Sequence, residues 1–238
     1  MKKGLLLLSV LYTALCFSQE SKSKEKFWSG NFDLGLNFTK NTEETFQFNN
    51  IFKLNYKLRN HILTLNNNIA FVSKTGQKEL LNKGKQDLKY EVTSKNLNIR
   101  FLFQNLYDID KKIKNRYTSG VGVSYNLFDK KSVNIGITIQ REKENVLGRD
   151  DKLQNRLNSN ILITKKIKKS IQFTFKNSYQ PNLDGFGDFR WISNLSVRMS
   201  LSTQFLLSIN TNFNYDSEPE IGIPETDYQL INSISYSF

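Results

Sequence analysis

The clearest signal of the fold is the segment Tyr228-Gln-Leu-Ile-Asn-Ser-Ile-Ser-Tyr-Ser-Phe238. Counted back from the end, Phe238, Tyr236, Ile234, Leu230 and Tyr228 fall on one side of a two-residue repeat, while serine and glutamine fall on the other. Successive side chains of a β-strand point to opposite faces. The segment therefore predicts a strand with one apolar and one polar face.

The same alternation recurs along most of the chain. Phe32, Leu34, Leu36 and Phe38 alternate with polar residues and glycine, and Val133 begins another such run. No stretch after the first 18 residues has a convincing helical period. The alternation predicts twelve strands, at residues 29–40, 45–58, 62–74, 86–95, 97–107, 116–128, 132–141, 153–165, 170–180, 187–200, 203–215 and 227–238.

This strand pattern is typical of a protein that crosses a membrane with strands. Each segment is about the length of a tilted transmembrane strand, roughly 9–11 residues. We therefore expect an all-β protein, a single closed antiparallel transmembrane β-barrel of about twelve strands with up-and-down topology. The alternative fold is a soluble sandwich of two sheets, whose strands also alternate between apolar and polar residues. The wet polar face, rich in Asn, Gln, Ser, Thr and Lys, favours a barrel lumen, and closure pairs every strand edge.

The predicted connections alternate between short turns and longer polar loops. The longer ones are residues 75–85, 108–116, 141–152 and 216–227, as expected of the outer side of a barrel. The alternation changes phase at Ser94-Lys95-Asn96, which predicts a tight turn, with a bulge in one long strand as the alternative. Asn67 falls in mid-strand on the apolar face, and the pattern does not explain it. Aromatic residues gather near strand ends, as in interfacial girdles: Phe27, Trp28, Tyr56, Tyr107, Tyr117, Tyr179, Phe189, Trp191, Tyr215, Tyr228 and Phe238.

The amino-terminal residues predict export. Lys2 and Lys3 precede an apolar run to Phe17, and small residues follow at the spacing of a signal peptidase site. We expect a signal peptide at residues 1–18 and a barrel domain at residues 19–238. Lipidation of Cys16 is the alternative. Cleavage removes the single cysteine and lowers the formal net charge from +12 to +10.

The basic residues are scattered through strands and turns, with no basic helix or compact patch. This distribution favours contacts with lipid and lipopolysaccharide phosphates over nucleic acid, which we do not expect as a partner. An exported barrel ending on aromatic residues resembles the closing strand of outer-membrane barrels. Tyr236 and Phe238 are therefore candidates for an assembly signal read by the outer-membrane barrel-assembly machinery, and we predict the outer membrane of a Gram-negative bacterium as the location.

Three stretches together resemble the family of salt-induced outer membrane proteins, a domain of unknown function found in Gram-negative bacteria. They are Trp28-Ser-Gly-Asn-Phe-Asp-Leu-Gly35, Arg116-Tyr-Thr-Ser-Gly-Val-Gly-Val-Ser-Tyr125, and the run from Tyr215 through Pro219 and Asp227 to Phe238. The resemblance spans nearly all of the chain after the signal peptide. It implies an outer-membrane β-barrel and brings no catalytic residues.

The composition argues against enzymatic chemistry. Outer-membrane phospholipases need a serine activated by histidine, and the one histidine, His61, is predicted in a short turn. We expect no enzymatic activity, no cofactor and no metal bound by His or Cys. Carboxylates cluster in two predicted outer loops, at Glu142 and Glu144 and between Asp216 and Asp227, but without the spacing of a calcium loop.

Charged residues on the inward face are the candidate functional residues. We predict a structural or narrow-channel role with a polar, partly basic lumen, because twelve strands lie between filled and open barrels. The basic residues favour anionic solutes, or they pair with the acidic ones and plug the barrel; both remain open. A surface interaction protein acting through its outer loops is the alternative function. The candidate lumen charges are Asp33, Lys53, Lys57, Asp87, Lys89, Glu91, Arg100, Arg156, Arg190 and Arg198.

Overall fold

The structure is a computed structural model that describes residues 27–40, 44–74, 81–128 and 132–237. The predicted signal peptide and Phe238 lie outside these residues. None of the described segments forms a helix with the length and apolar character needed to cross a membrane.

All twelve predicted strands are present among the described residues, and they follow one another along the chain. Their order around the sheet is the order of the sequence, so the topology is up-and-down. The strands are β1 (Trp28–Lys40), β2 (Glu44–Leu58), β3 (His61–Lys74), β4 (Leu81–Ser94), β5 (Leu97–Asp108), β6 (Ile113–Asn126), β7 (Val133–Val146), β8 (Lys152–Lys168), β9 (Ile171–Pro181), β10 (Phe189–Ser200), β11 (Phe205–Asp216) and β12 (Thr226–Ser237).

The sheet closes on itself through antiparallel pairing of β1 with β12. Asn31 lies opposite Ser237, and Leu34 lies opposite Ile234. The predicted fold class, a closed antiparallel barrel, is thus confirmed, and the two-sheet sandwich is wrong. The strand containing residues 228–237 is the one that completes the cylinder.

The alternation sorts side chains as the sequence predicts. Phe101, Phe103, Val123 and Ile137 are exposed on the outer surface. Residues of opposite parity, such as Thr138, are buried inside. A barrel with an apolar exterior and a polar interior is the arrangement expected of a protein surrounded by lipid.

One end of the barrel, here called the turn end, carries short connections. Arg59 and Lys95 adopt left-handed backbone conformations, with φ of 54° and 51°, in two-residue turns. Lys95 and Asn96 therefore form the predicted tight turn between β4 and β5, and the alternative of a bulge is wrong. His61 is the first residue of β3 rather than a turn residue, and its Nδ1 lies 2.7 Å from the Tyr90 hydroxyl.

The opposite end, here called the loop end, has shorter loops than the sequence predicts. The β5–β6 connection is residues 109–112 and the β7–β8 connection is residues 147–151. The strands continue past their last apolar residue, so both faces become polar there and the hydrophobic period disappears. Glu142 and Glu144, predicted in a loop, lie on β7, and Asp216 and Asp227 also lie on strands.

Aromatic side chains pair near both ends of the barrel. At the turn end Trp28 contacts Tyr56, with ring centroids 4.7 Å apart, and Tyr236 contacts Phe205 at 5.5 Å. At the loop end Phe189 lies between its neighbours, 5.3 Å from Tyr179 and 5.6 Å from Tyr215. Two such bands match the expected girdles at the edges of an apolar belt.

Candidate functional site in the barrel lumen

The lumen contains a cavity of about 630 Å³ that reaches from the loop end to the middle of the barrel. Its walls come from both sides of the cylinder, and most lining side chains are charged or amide groups. Six predicted lumen residues line it: Lys53, Asp87, Lys89, Arg156, Arg190 and Arg198. The other four, Asp33, Lys57, Glu91 and Arg100, have the same inward parity on their strands.

Some of these charges pair with one another. Glu91 and Arg100 lie on neighbouring strands and form an ion pair at 2.7 Å. Asp33 is buried, accepts a hydrogen bond from Asn31 Nδ2 at 2.9 Å, and lies 3.8 Å from the guanidinium of Arg198. These pairs neutralise much of the charge on the wall near the turn end.

Three lysines in the middle of the lumen are not paired in this way. Lys53, Lys89 and Lys176 line the cavity, and none has a carboxylate within 4.0 Å among the side chains that the structure describes. Lys176 lies at the centre of β9 on the inner face, and its side chain is exposed within the lumen. The middle of the lumen therefore holds three basic side chains that have no close carboxylate partner.

The loop end of the lumen holds a cluster of arginines and carboxylates on one wall. Arg190 lies 2.7 Å from Glu142, 3.4 Å from Glu144 and 3.1 Å from Asp216. Arg116 pairs with the same Glu144. We call Arg116, Glu142, Glu144, Arg156, Asp188, Arg190 and Asp216 the arginine–carboxylate network.

Arg156 joins this network to the β9–β10 loop. Its side chain is 1% exposed, and its guanidinium donates to both carboxylate oxygens of Asp188 at 2.7 Å and to the carbonyl of Gln180 at 3.0 Å. Burial alone would raise the pKa of the Asp188 carboxyl, but the hydrogen bonds and charge of Arg156 hold that pKa below its ordinary value. Asp188 is therefore an anion that fixes the guanidinium in place.

The sequence contains a signal for part of this network, but the predicted strand end at residue 141 placed that part in a loop, whereas β7 extends to Val146. Gln140, Glu142 and Glu144 continue the inward parity of Thr138 beyond the last isoleucine of β7. A prediction that extended the strand for as long as every second residue continued the inward-facing series would have included these residues in β7. Asp188 and Asp216 have no such signal, because their roles depend on the position of Arg156 and Arg190 in space.

A segment of the β11–β12 loop crosses the mouth at the loop end. Glu220 is 8% exposed and lies 3.1 Å from Arg149 and 2.7 Å from Lys152, and Lys112 Nζ donates to the carbonyl of Ile221 at 2.8 Å. Residues 217–225 thus reach the β5–β6 and β7–β8 connections and narrow the entrance. Within the described residues, no group of three or more His, Cys, Asp or Glu side chains is placed to hold a metal ion.

The outer face carries an amide ladder that accounts for Asn67. Asn67, Gln86 and Asn105 lie directly opposite one another on β3, β4 and β5. Gln86 Nε2 donates to Asn67 Oδ1 at 3.3 Å, and Asn105 Nδ2 donates to Gln86 Oε1 at 3.1 Å. These two hydrogen bonds lower the cost of placing the three amides on an apolar surface, although Asn105 Oδ1 has no hydrogen-bond partner among the described residues.

Comparisons with known proteins agree with the fold. Residues 32–238 match a family described as "Protein of unknown function, DUF481". This description agrees with the predicted resemblance to a family of unknown function. It does not mention salt induction, so that part of the resemblance stays a prediction. Among curated proteins, no sequence matches the chain significantly.

Solved structures of similar shape are outer-membrane barrels. The KdgM porin shares 9% identity with a TM-score of 0.50, covering 88% of this chain and 99% of its own. The NanC porin shares 10% identity with a TM-score of 0.49, covering 88% and 97%. The translocator domain of the autotransporter NalP from Neisseria meningitidis shares 6% identity with a TM-score of 0.48, covering 99% and 96%. At these identities, the likeness to the KdgM porin concerns the fold alone.

Proposed function

This chain belongs to the DUF481 family, and we propose that it forms a narrow, water-filled channel across the outer membrane of a Gram-negative bacterium, with a preference for anions. The observation that carries the proposal is the exposed Lys176 in the middle of the barrel, where it adjoins a cavity of about 630 Å³. A barrel filled by its own side chains would bury or pair such an amine, because an unpaired buried charge is costly.

The apolar exterior and the two aromatic bands support the membrane location. A closed barrel leaves no strand edge unpaired, which a segment in hydrocarbon requires. Separation of inner and outer membranes on a sucrose gradient tests this part of the proposal. Recovery of the protein in the inner-membrane or soluble fraction would contradict it.

The distribution of charge in the lumen supports the anion preference. At the loop end, carboxylates accompany the arginines, whereas Lys53, Lys89 and Lys176 meet a permeating ion without carboxylate partners. A narrow passage with low-dielectric walls focuses the field of such charges and concentrates counter-ions. Anions are therefore expected to enter the middle of the lumen more readily than cations.

Planar bilayers with a salt gradient test the channel directly. We expect small discrete conductance steps and a reversal potential with the sign of anion preference. Lys176→Gln should shift the reversal potential toward zero, whereas Lys143→Gln should not, because Lys143 pairs with Asp151 at the outer rim. The absence of steps would favour a structural role with a plugged lumen instead.

The alternative of a surface interaction protein receives less support. The described loop-end connections are short, and the β11–β12 loop is held against its neighbours by Glu220. We also propose that the protein has no enzymatic activity. A serine hydrolase of this kind needs a histidine beside its serine, whereas Nδ1 of His61, the one histidine of the sequence, lies 2.7 Å from the Tyr90 hydroxyl at the turn end. Contacts with lipopolysaccharide and with the barrel-assembly machinery stay predictions.

A further inference from the structure

The middle of the lumen brings together amines from three separate strands. Lys53 comes from β2, Lys89 from β4 and Lys176 from β9, and all three line the same cavity. In the closed barrel β4 and β9 stand on roughly opposite walls. A solute in the middle of the lumen therefore has lysines on two opposite sides.

These lysines are close enough to influence one another across the lumen. Lys176 interacts electrostatically with Lys89 and Lys85 on β4, and Lys89 interacts with Lys53 on β2. Arg198 on β10 is a further cation within the electrostatic reach of Lys53. Without a ligand, these like charges repel one another, and a bound anion would reduce that repulsion.

Nearby carboxylates do not cancel this charge. Three carboxylates, Asp33, Asp87 and Glu91, act on this part of the lumen, against six cations: Lys53, Lys85, Lys89, Arg100, Lys176 and Arg198. Glu91 pairs with Arg100 at 2.7 Å. Asp33 lies nearest to Arg198, at 3.8 Å, and Asp87 lies 3.9 Å from Lys85. The remaining amines of Lys53, Lys89 and Lys176 are available to a ligand.

We propose that Lys53, Lys89 and Lys176 form a binding site for a compact oxyanion that carries two or more negative charges. Lysine is a mobile point charge with three donors, and it serves widely in phosphate recognition. A multivalent oxyanion has several acceptor oxygens and enough charge to neutralise more than one amine, whereas a monovalent ion neutralises only one. The cavity lies within the range of small-ligand sites, about 300–1,000 Å³.

The role of this site in permeation rests on the proposed channel, but anion binding is measurable without transport. Isothermal titration calorimetry uses the full mature chain, folded in detergent, with inorganic pyrophosphate as the probe. Sodium chloride at equal ionic strength is the reference, because it screens charge without bridging the walls. We expect saturable binding of pyrophosphate and none of chloride.

Single variants locate the site. Lys89→Gln and Lys176→Gln should each weaken pyrophosphate binding about tenfold or more, because each removes a charge-assisted hydrogen bond. Lys57→Gln is the matched control. Lys57 shares the inward face of β2 with Lys53 but does not line the cavity, so its removal should change the affinity less than about twofold.

A second readout separates loss of the site from loss of the fold. Without pyrophosphate, Lys176→Gln should unfold at the same temperature as the unsubstituted protein or higher, because the largest charge interactions of Lys176 are repulsions from Lys89 and Lys85. Lys89→Gln loses the attraction of Asp87 together with repulsions from Lys85, Arg100 and Lys53, so it should unfold close to the temperature of the unsubstituted protein. With saturating pyrophosphate, the unsubstituted protein should gain stability and the variants should gain less. Equal gains in all proteins would overturn the proposed site.

The outcomes distinguish this site from the channel. Saturable, lysine-dependent binding by a protein that shows no conductance would refute the channel and leave the site standing. Anion-selective conductance without saturable pyrophosphate binding would refute the site and leave the channel. Binding that is unchanged in Lys176→Gln would also overturn the site, because that residue faces the other two across the lumen.

Discussion

Replacement of Arg156 by methionine tests the arginine–carboxylate network most directly. The substitution removes two hydrogen bonds of 2.7 Å to Asp188 and one of 3.0 Å to the carbonyl of Gln180, and it leaves the buried Glu142 without a cation that lay 3.5 Å away. Breaking a buried pair by removing one partner costs about 3–5 kcal/mol, because the other charge stays buried. We expect a loss of this size in the free energy of unfolding.

Urea unfolding in phospholipid vesicles measures this loss through the fluorescence of Trp28 and Trp191. Asp188→Asn alone should also destabilise the protein, and the double variant should be more stable than the sum of the single effects predicts, because both charges are gone. Arg149→Met is the matched control. The Arg149 side chain is 43% exposed and its partner Glu220 retains Lys152 at 2.7 Å, so the expected loss is below about 1 kcal/mol.

The Arg156–Asp188 pair also predicts that the free energy of unfolding depends on pH. Because the pKa of Asp188 is lower in the folded protein than in the unfolded chain, the pair contributes its full stability above the unfolded value of about 4. That contribution is lost as the pH falls toward the folded pKa. The difference between the unsubstituted protein and Arg156→Met should therefore be largest near neutral pH and shrink below about pH 4. A difference that stays constant with pH, or an Arg156→Met loss as small as that of Arg149→Met, would contradict the assigned role of the Arg156–Asp188 pair.

Two further substitutions test the barrel wall. Gly122→Ala should destabilise the barrel by about 1–3 kcal/mol, because its Cβ would overlap the backbone and a side chain of β7; Gly120→Ala, with its nearest contact at 3.0 Å, should cost clearly less, and equal unfolding midpoints would contradict this. Gln86→Leu should cost about 1–3 kcal/mol, because it leaves the amides of Asn67 and Asn105 without their partner. Replacing all three by leucine should recover most of the loss in urea unfolding, and no recovery would refute the amide ladder.

The local sequence determined the barrel wall. A period of two needs only neighbouring residues, so Phe101, Val123 and Ile137 could be assigned to the outer face from their own segments. The tight turn at Lys95 and Asn96 was equally local, since the alternation changes phase there. Where the apolar period stopped, as after Ile139, the strand boundary was wrong and Glu142 was placed in a loop.

The way in which the lumen charges combine depends on the arrangement of the strands in space. The parity of β7 and β10 places Glu142 and Arg190 inside, but nothing in either segment indicates that they meet at 2.7 Å across 48 residues of sequence. The register of neighbouring strands and the closure of the barrel set the height and direction of each side chain. The same closure left Lys53, Lys89 and Lys176 lining one cavity with no described carboxylate within 4.0 Å, because pairing across a lumen depends on distance in space and not on order along the chain.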